Sequence, residues 1–436
     1  MSDALLSVET ARERVLAAIA GPTAVETHAP ENALWHVLAA PVTAATDLPP
    51  WDNSAMDGYA IRVADVAAAA EDGPVRLQVV GEVSAGGVAR GAVGPGTAIR
   101  IATGAPLPEG ADAVVPVEAT TPLDAAGTPG PRGRDATGPL PVACLVHLAV
   151  RTGGSVRRRG EDVRAGTTVL EVGMALTPAA IAIATGSGVD AVAVHRHPRV
   201  AVLATGDEIR AAGEPLGPAG IPDANGPGLR SMVAAAGAKV VDLGIARDSL
   251  DDVLERLRKG MAEADAVIVA GGVSVGPYDV VRRAFEIVGR VDLWRVAVQP
   301  GKPFAFGVAD DGTVLFGLPG NPVSSFVTFE LFVRPAIRRL AGHGRILRDT
   351  DVGTLIEPVA KAPGRRTFLR VVAERDAATD RPVRDADGRI PVHLAGGQGS
   401  HILTALAAAD ALAVVPETVD GLPAGAPVEL IWLDRP

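Results

Sequence analysis

Between Val200 and Leu340 the chain alternates short apolar runs with longer amphipathic stretches, separated by glycine or proline turns. Short buried strands followed by amphipathic helices give this pattern, which restricts the segment to a layered α/β fold. Strands are predicted at 199–204, 239–243, 266–270, 293–298 and 313–316, and helices at 229–236, 250–263, 279–288 and 323–340. We therefore predict a mainly parallel sheet with helices on both faces and a ligand site beyond the carboxyl ends of its strands.

Segments of β character occur on both sides of this region. A chain of 436 residues is too long for one compact core, so two to four domains are expected. Residues 75–83, 97–101 and 113–118 predict a β-rich domain, and the glycine- and proline-rich stretch 121–141 predicts a long surface loop. Residues 366–372, 412–415 and 428–432 predict a small C-terminal β domain, and residues 1–21 have helical spacing without the apolar stretch of a signal peptide.

Charge and cysteine content exclude several functional classes. The net charge of -10 disfavours general binding to nucleic acid or to an anionic membrane surface. No apolar run reaches the roughly 18 residues of a membrane-spanning helix. Cys144 is the only cysteine, so an internal disulfide and a cysteine-based zinc site are excluded, as in a reducing compartment. We therefore expect a cytoplasmic protein.

Three loops that are rich in glycine or proline each follow a predicted strand. They are GGVSVG at 271–276, QPGKP at 299–303 and GLPGNP at 317–322. Glycines let an anion approach the backbone, and a helix N-terminus supplies unpaired N–H groups, so a phosphate site is one interpretation. Ordinary strand-to-helix turns are the alternative, and Lys302, one of four lysines, is either a positioned charge or a surface lysine.

Carboxylates beside turns are the remaining candidates for chemistry. These are Asp52, Asp57, Glu161, Asp207, Asp223, Asp265 and Asp279. Carboxylate oxygens suit a hard cation such as Mg²⁺. The alternative is that each acid caps the backbone N–H groups of a turn or helix start, and we favour capping for Asp223 and Asp279 when each is considered by itself. The eight histidines have no metal-binding spacing, and His195 and His197 are expected to be surface residues. Neither a GxGxxG motif nor a P-loop is present.

Taken together, these segments resemble the molybdopterin molybdenumtransferase family, whose architecture recurs in the C-terminal domain of gephyrin. The resemblance spans nearly the whole chain and rests on eight motifs in order. They are LPPWDNSAMDGYA at 48–60, ATGAP at 102–106, RRGED at 158–162, ATGDE at 204–208, GGVSVG at 271–276, PGKP at 300–303, GLPGNP at 317–322 and QGSH at 398–401.

The resemblance implies an α/β multidomain fold in an elongated homodimer. A three-layer molybdopterin-binding α/β domain with a mainly parallel sheet would comprise residues 1–24 and 180–342. A linking domain would comprise 25–47 and 148–179, an inserted β-rich domain 48–147, and a C-terminal β-barrel 343–436. Each site would form between two subunits. Small-molecule substrates and other proteins of molybdenum cofactor biosynthesis are the implied partners.

The implied reaction inserts molybdenum from molybdate into adenylylated molybdopterin, with release of AMP and assistance from Mg²⁺. The resemblance assigns catalytic roles to Asp57, Thr103, Glu161, Asp223 and Asp265, and metal ligation to Glu161, Asp223 and Asp265. It assigns binding of pterin, phosphate or molybdate to Gly271, Gly272, Ser274, Asp279, Pro300, Lys302, Pro303, Gly320, Asn321, Pro322, Arg365 and Ser400.

The sequence departs from the family pattern at two positions. Ala224 stands where relatives often have a hydroxyl residue, and Arg282 stands where a lysine is common. Two alternatives to the transferase are a non-enzymatic scaffold, as in gephyrin, and a related molybdopterin adenylyltransferase that shares only the α/β domain. The motifs around Asp57 and Glu161 argue against the second alternative, because a solitary α/β domain lacks them.

Overall fold

The α/β region contains one six-stranded mixed sheet. The computed structural model describes residues 5–133, 138–272 and 280–433. The sheet strands, in spatial order, are Lys239–Ala246, Arg199–Thr205, Ala266–Ala270, Val314–Leu318, Pro303–Ala309 and Gly289–Arg295. The first four strands are parallel, and the last two form an antiparallel hairpin. The predicted parallel core is therefore present.

The hairpin corrects the predicted strand at 293–298. That strand lies at Gly289–Arg295, and its partner Pro303–Ala309 was not predicted. The apolar stretch after Pro303 was hidden by Pro300, Gly301 and Pro303 around Lys302, a segment that we interpreted only as a turn. Residues Val298–Gln299 leave this sheet and pair instead with the C-terminal domain.

Helices cover both faces of the sheet because alternate strand residues point in opposite directions. Val200, Val202 and Ile268 pack on one side, and the helices there are Val8–Ala17, Asn225–Ala235, Pro322–Thr328 and Arg334–Leu340. Ala201, Leu203 and Val267 pack on the other side against Leu250–Glu263 and Val280–Val288. The result is the predicted three-layer arrangement.

The helix predicted at 323–340 is interrupted by one π-helical turn, Phe329–Val333. Pro335 follows this turn and has no N–H to donate to the carbonyl of Leu331, which relaxes the regular α-helical pattern just before it. Phe329, Phe332 and Val333 are fully buried within the turn. Packing of these side chains against the sheet thus offsets the lost helical hydrogen bond.

A second six-stranded sheet forms upstream. Its strands in spatial order are Ala113–Pro116, Gly58–Ile61, Thr97–Ile101, Val75–Val83, Ala143–Val146 and Thr120–Leu123, with a 3₁₀ turn at Val117–Ala119 and a short helix at Val63–Val66. The surface loop predicted at 121–141 is therefore wrong at its start. Thr120–Leu123 is an edge strand whose partner is Ala143–Val146, and the predicted loop begins only afterwards.

Small sheets connect the two larger ones. A three-stranded sheet has the order Val25–His28, Val192–His195, Val37–Leu38, and a 3₁₀ turn spans Pro30–Asn32. Two-stranded pairs join Val42–Thr43 to Thr168–Leu170 and Asn53–Ser54 to Val156–Arg157. The helix Pro178–Gly186 packs on a core that contains Leu38, Leu176 and Val192.

The C-terminal region is a closed five-stranded barrel. Its strands are Arg366–Ala373, Ile390–Leu394, Thr350–Leu355, Ala426–Trp432 and Ala411–Val415, and the first pairs with the last to close the barrel. The helix Leu403–Ala408 and the strand pair Val359–Ala360 with Gly421–Leu422 lie outside it. No helix among the described residues is long and apolar enough to cross a membrane.

Candidate active site

The carboxyl ends of the parallel strands carry the first group of candidate residues. We use the name carboxyl edge for the loops that follow Thr205, Ala270 and Leu318. The N–H of Gly271 donates to the carbonyl of Leu318 at 3.1 Å. A Cβ on Gly320 would lie 3.8 Å from the Cα of Gly271. The two glycine loops predicted to bind an anion therefore meet at this edge.

Glycine is required at position 271 for steric reasons. Its φ is +100°, and a Cβ there would approach the carbonyl oxygen of Thr205 to 2.5 Å. Gly272 has φ +61°, and its Cβ would lie 2.6 Å from a methyl group of Val281. Only glycine allows the chain to turn this tightly against the neighbouring strand. The turn leaves Gly271 buried and Gly272 exposed.

Asp223 and Asn225 bring a helix N-terminus to the same edge. Asp223 Oδ1 accepts a hydrogen bond from the N–H of Gly226 at 2.8 Å, which is the capping role expected from the sequence. Asn225 Nδ2 donates to the carbonyl of Gly320 at 2.7 Å. This cap also explains why the helix begins at Asn225, four residues before the predicted start at 229.

The C-terminal barrel contributes Ser400 to the group. Asn321 Nδ2 donates to Ser400 Oγ at 3.1 Å, and the N–H of Val323 donates to the carbonyl of Ser400 at 3.3 Å. Pro322 is the first residue of the helix that follows, where its missing N–H leaves no helical bond unmade. Asn321 and Ser400, separated by 79 positions in the chain, are thus direct neighbours.

Arg370 supports the Ser400 loop and was missed by the sequence analysis. Its side chain is 1% exposed and donates to the carbonyls of Gly397 and Gly399, each at 3.2 Å. The side chain of Gln398 makes paired hydrogen bonds with the Arg370 backbone at 2.9 and 3.1 Å. Burial lowers the pKa of this guanidinium. An arginine inside an apolar strand was the available signal.

The loop that contains Lys302 lies at the carboxyl edge by topology. The strand Gly289–Arg295 ends there, and the antiparallel strand Pro303–Ala309 begins there. Pro300 follows a cis peptide bond, and a Cβ on Gly301 would lie 2.6 Å from the Thr328 side chain. The backbone of this loop is therefore packed against the helix that begins at Pro322.

Arg365 stands where the barrel strand meets the same loop. Its neighbour Arg366 donates its backbone N–H to the carbonyl of Ala297 at 2.8 Å, five positions before Lys302. Lys361 Nζ donates to the carbonyl of Arg365 at 2.9 Å. The predicted ligands Ser274 and Asp279 lie outside the described residues.

Acidic residues also gather beside this edge. The N–H of Asp248 donates to Asp207 Oδ1 at 3.2 Å. Burial raises the pKa of the Asp248 carboxyl, and the charges of Asp207 and Glu208 raise it further. Repulsion of this kind decreases when a cation binds nearby.

The second group of predicted residues lies in the upstream sheet. Asp57 immediately precedes the strand Gly58–Ile61, and its Oδ1 accepts from the Thr103 backbone N–H at 2.7 Å and from Thr103 Oγ1 at 3.0 Å. Both residues are exposed. The two motifs predicted around Asp57 and Thr103 are therefore one structural unit.

Glu161 lies in a turn held by Asp52. Glu161 accepts the N–H of Arg158 at 2.8 Å, while Asp52 accepts the N–H of Arg159 at 2.8 Å and Nη1 of Arg158 at 2.6 Å. The Arg159 N–H and the Arg158 guanidinium hold the pKa of Asp52 below its usual value. The turn and its flanking residues line a cavity of about 580 Å³.

Asp265 does not join the other predicted metal ligands. It precedes the strand Ala266–Ala270, so it lies at the amino end of the strand whose carboxyl end leads to Gly271. Its carboxylate pairs with the Arg196 guanidinium at 2.7 and 3.1 Å and accepts the N–H of Arg199 at 2.7 Å. Asp265 therefore lies apart from Asp223 and Glu161, and this placement gives no support to its predicted metal role.

Within one chain the two groups remain separate. No hydrogen bond between described residues joins Asp57, Thr103 or Glu161 to the carboxyl edge. The structure thus brings together Asp223, Gly271, Gly320, Asn321 and Ser400 on one surface, and Asp57 with Thr103 on another.

Comparison with protein families covers most of the chain in three consecutive matches. Residues 6–188 match the model described as MoeA N-terminal region (domain I and II). Residues 201–339 match a probable molybdopterin binding domain. Residues 352–433 match the MoeA C-terminal region (domain IV). The carboxyl edge belongs to the second match, whereas Asp57 and Glu161 belong to the first.

Similar proteins match over more than nine tenths of their length. The molybdopterin molybdenumtransferase 2 of Mycobacterium tuberculosis is 37% identical over 91% of this chain and 92% of its own. The molybdopterin molybdenumtransferase of Haemophilus influenzae is 33% identical over 98% of both chains. A crystal structure of the molybdopterin biosynthesis MoeA protein from Pyrococcus horikoshii is 31% identical, with a TM-score of 0.75 over 98% of this chain and 99% of its own. The chain therefore belongs to the molybdopterin molybdenumtransferase family.

Proposed function

We propose that this chain is a transferase that inserts molybdenum from molybdate into adenylylated molybdopterin and releases AMP, in molybdenum cofactor biosynthesis. The names of the full-length relatives support this function. The observation that carries it is that the carboxyl edge meets the Ser400 loop of the barrel: Gly271 and Gly320 lie side by side, and Asn321 donates to Ser400. Backbone turns that only glycine permits are suited to close contact with a phosphorylated ligand.

The substrates set the chemical problem. Molybdate and a phosphorylated dithiolene are both anions, so they repel each other unless fixed donors and a cation compensate their charges. Asn321, Ser400 and Lys302 would supply donors toward the phosphate or molybdate oxygens. Water cleaves the phosphoanhydride bond and gives AMP and molybdopterin with its own phosphate. The two dithiolene sulfurs replace two molybdate oxygens, which leave as two water molecules with the two thiol protons and two protons from solvent, so the oxidation state of molybdenum does not change.

A magnesium ion fits the acids at hand. Mg²⁺ prefers oxygen ligands, and the side chains of Glu161 and Asp223 each offer a carboxylate oxygen. Asp223 Oδ1 is engaged by Gly226, so its second oxygen would meet the ion. When bound, the ion would neutralise phosphate charge as AMP leaves. Asp265 is not included in this proposal because its carboxylate pairs with Arg196 at the opposite end of its strand.

We further propose that the working unit is a cytoplasmic homodimer in which Asp57 and Thr103 of one subunit complete the carboxyl edge of the other. Trp51 and Met56 precede Asp57 in the same motif and are 47% and 40% exposed, so large apolar side chains are exposed close to Asp57 in the sequence. Exposed apolar groups of this kind favour a protein interface. The separation of the two residue groups within one chain also supports sites shared between subunits.

Mixed dimers test this proposal. We expect Asp57→Asn and Asp223→Asn each to abolish AMP release from adenylylated molybdopterin, molybdate and Mg²⁺ while the circular dichroism spectrum stays unchanged. Unfolding and refolding the two variants together should restore activity to about a quarter of the wild-type value, because half the dimers are mixed and each mixed dimer has one intact site. Asp72→Asn, an exposed acid of the same upstream region, is the control and should keep full activity.

The outcome separates the alternatives. No recovery in mixed dimers, with both variants folded and dimeric, contradicts a site shared between subunits. Binding of the pterin without AMP release by the wild-type chain contradicts the transferase and supports the scaffold. Formation of adenylylated molybdopterin from ATP would instead indicate an adenylyltransferase. The family matches on both sides of the molybdopterin-binding domain do not favour this last alternative.

A further inference from the structure

Three side chains on or beside the strands of the small three-stranded sheet form a cluster. The proposed reaction does not use it. We call Glu26, His28 and His36 the histidine cluster. Glu26 and His28 lie two positions apart on the strand Val25–His28, so both side chains project from the same face. His36 immediately precedes the strand Val37–Leu38 of the same sheet. The sequence spacing gave no sign of this arrangement.

The ligand atoms of the histidine cluster lie close enough to share one ion. One atom from each of the three side chains lies within 4.8 Å of the other two. His28 Nε2 and Glu26 Oε2 are 3.0 Å apart, and the His28 and His36 ring centroids are 5.2 Å apart. Metal bonds of about 2.1 Å need ligand atoms about 3.5 Å apart, so shifts on the order of 1 Å close the site.

The backbone around His36 is fixed in advance. Trp35 has φ +64°, a conformation that non-glycine residues rarely adopt, and its N–H donates to the carbonyl of Leu176 at 2.9 Å. The N–H of Leu176 in turn donates to the carbonyl of His36 at 2.8 Å. His36 Nδ1 is buried without a well-oriented hydrogen-bond partner among the described residues. Strain of this kind concentrates where a side chain must be held in one place.

A fourth residue packs against the cluster from the α/β side. The His197 ring lies 4.0 Å from that of His36, measured between centroids. His197 Nδ1 is 3.1 Å from the carbonyl of Gly237, so it carries the proton and donates. His197 also lines a cavity of about 730 Å³ together with Trp35 and Lys239. It is a positioning residue for His36, and it links the cluster to the strand that begins at Arg199.

We propose that Glu26, His28 and His36 form a binding site for a late divalent transition-metal ion, of which Zn²⁺ is the representative. Two imidazoles and one carboxylate match the ligand preference of zinc and leave a fourth position for water. Magnesium prefers oxygen ligands only, so this site is chemically distinct from the one proposed for the transferase reaction. The bound ion joins the strand Val25–His28 to the segment before Val37 and rigidifies this junction.

His393 provides the contrast within the same chain. It also contacts two carboxylates, but Glu357 meets Nδ1 and Glu374 meets Nε2, each at 2.9 Å. The two acids therefore lie on opposite sides of one ring and cannot share an ion with it. The contacts of His393 with its two acids are thus ion pairs. At His28 and His36, in contrast, two imidazoles face the same space and could bind one ion together.

The test is titration of tag-free protein, stripped with a chelator, with Zn²⁺ and with the spectroscopic probe Co²⁺. One ion per chain should bind, with a Co²⁺ absorption band typical of mixed nitrogen and oxygen ligands. His36→Gln and His28→Gln should each weaken Zn²⁺ binding by about 10- to 100-fold or more. Loss of a residue that only hydrogen-bonds to a metal ligand already costs about 10- to 100-fold, so loss of a direct ligand should cost at least as much. His393→Gln is the matched control and should change the Kd by less than about twofold.

A second readout keeps the test informative if one variant folds poorly. Saturating Zn²⁺ should raise the midpoint of thermal unfolding of the wild type and of His393→Gln, because a ligand that binds only the folded state stabilises it. The conservative Glu26→Gln, at a side chain 42% exposed, should fold normally and lose most of this increase. Unchanged Zn²⁺ affinity in all three cluster variants, or no stoichiometric binding by the wild type, overturns the proposal. AMP release at saturating Mg²⁺ is independent of these outcomes.

Discussion

The carboxyl edge and the surface formed by Asp57 and Thr103, here called the Asp57 loop, are built in opposite ways. At the carboxyl edge, Gly271 packs against Thr205 of the neighbouring strand and Gly272 packs against Val281 of the following helix. Ser400 is held by a hydrogen bond from Asn321 and by a loop that is bonded to buried Arg370. At the Asp57 loop, Asp57 and Thr103 are exposed and contact mainly each other. The first surface is preorganised by its own domain and by the barrel.

This difference indicates how the work of the site is divided. Preorganised donors hold a ligand without further ordering, which suits the binding of anionic groups. An exposed acid oriented by one threonine is positioned locally but is not enclosed by its own chain. Its environment must therefore come from elsewhere, which is the physical reason for proposing a second subunit.

The largest effect is expected for Gly271→Ala, which changes the backbone of the preorganised carboxyl edge. Its Cβ would lie 2.5 Å from the Thr205 carbonyl oxygen at φ +100°, so the loop must move. We expect AMP release to fall by about 100-fold and the free energy of unfolding to fall by about 2–4 kcal/mol. Gly312→Ala, at φ +90° with open space around it, is the control and should cost about 1 kcal/mol with activity retained. Equal effects of the two substitutions would contradict the steric argument.

Arg370→Met tests whether the barrel helps to organise the carboxyl edge. Loss of the hydrogen bonds to Gly397 and Gly399 frees the loop that carries Ser400. We expect a loss of about 2–3 kcal/mol in the free energy of unfolding and an increase in the KM for adenylylated pterin of about 10-fold. Arg381→Met, an exposed arginine of the same domain, should change neither. An unchanged KM would leave Arg370 as a residue of stability alone.

Thr103→Val sharpens the comparison from the side of the Asp57 loop. The substitution removes the 3.0 Å hydrogen bond from Oγ1 and keeps the 2.7 Å bond from the backbone N–H. We expect AMP release to fall by about fivefold, equivalent to about 1 kcal/mol, without a change in thermal stability. Thr185→Val, in an exposed position on the helix Pro178–Gly186, serves as the control. A large loss of stability would show that the loop is more tightly packed than its exposure suggests.

The smallest effect is expected for Asp52→Asn in the turn that holds Glu161. Because the pKa of Asp52 is held below the usual value of 3.8, its carboxylate stabilises the fold above that pH and loses this contribution as the pH falls through the lower folded-state value. The variant should therefore be less stable at pH 7 by under about 1 kcal/mol. Thermal unfolding midpoints of wild type and variant should converge below about pH 4. A difference that grows on acidification would contradict the assigned role.

The accuracy of the sequence predictions depended on how local their causes were. The strand Ala266–Ala270 and the helix Leu250–Glu263 were predicted with their observed bounds, because apolar periodicity and the Ser249 cap are local signals. The strand Pro303–Ala309 was not predicted because Pro300 and Gly301 precede it, Pro303 begins it, and its pairing is set by distant partners. Asp265 was grouped with Asp223 by the family resemblance alone, without regard to which end of its strand it occupies.

The sequence by itself determined the layered α/β core, the glycine turns of the carboxyl edge and the family, since each depends on residue order within short segments. Only the tertiary structure decided which residues meet. The tertiary structure places Asn321 beside Ser400, and it places Asp265 at the opposite end of its strand from the carboxyl edge. It also packs His197, which was expected to be a surface residue, against His36. The physical reason is that contacts between distant segments are fixed by sheet order and domain packing, which local periodicity does not encode.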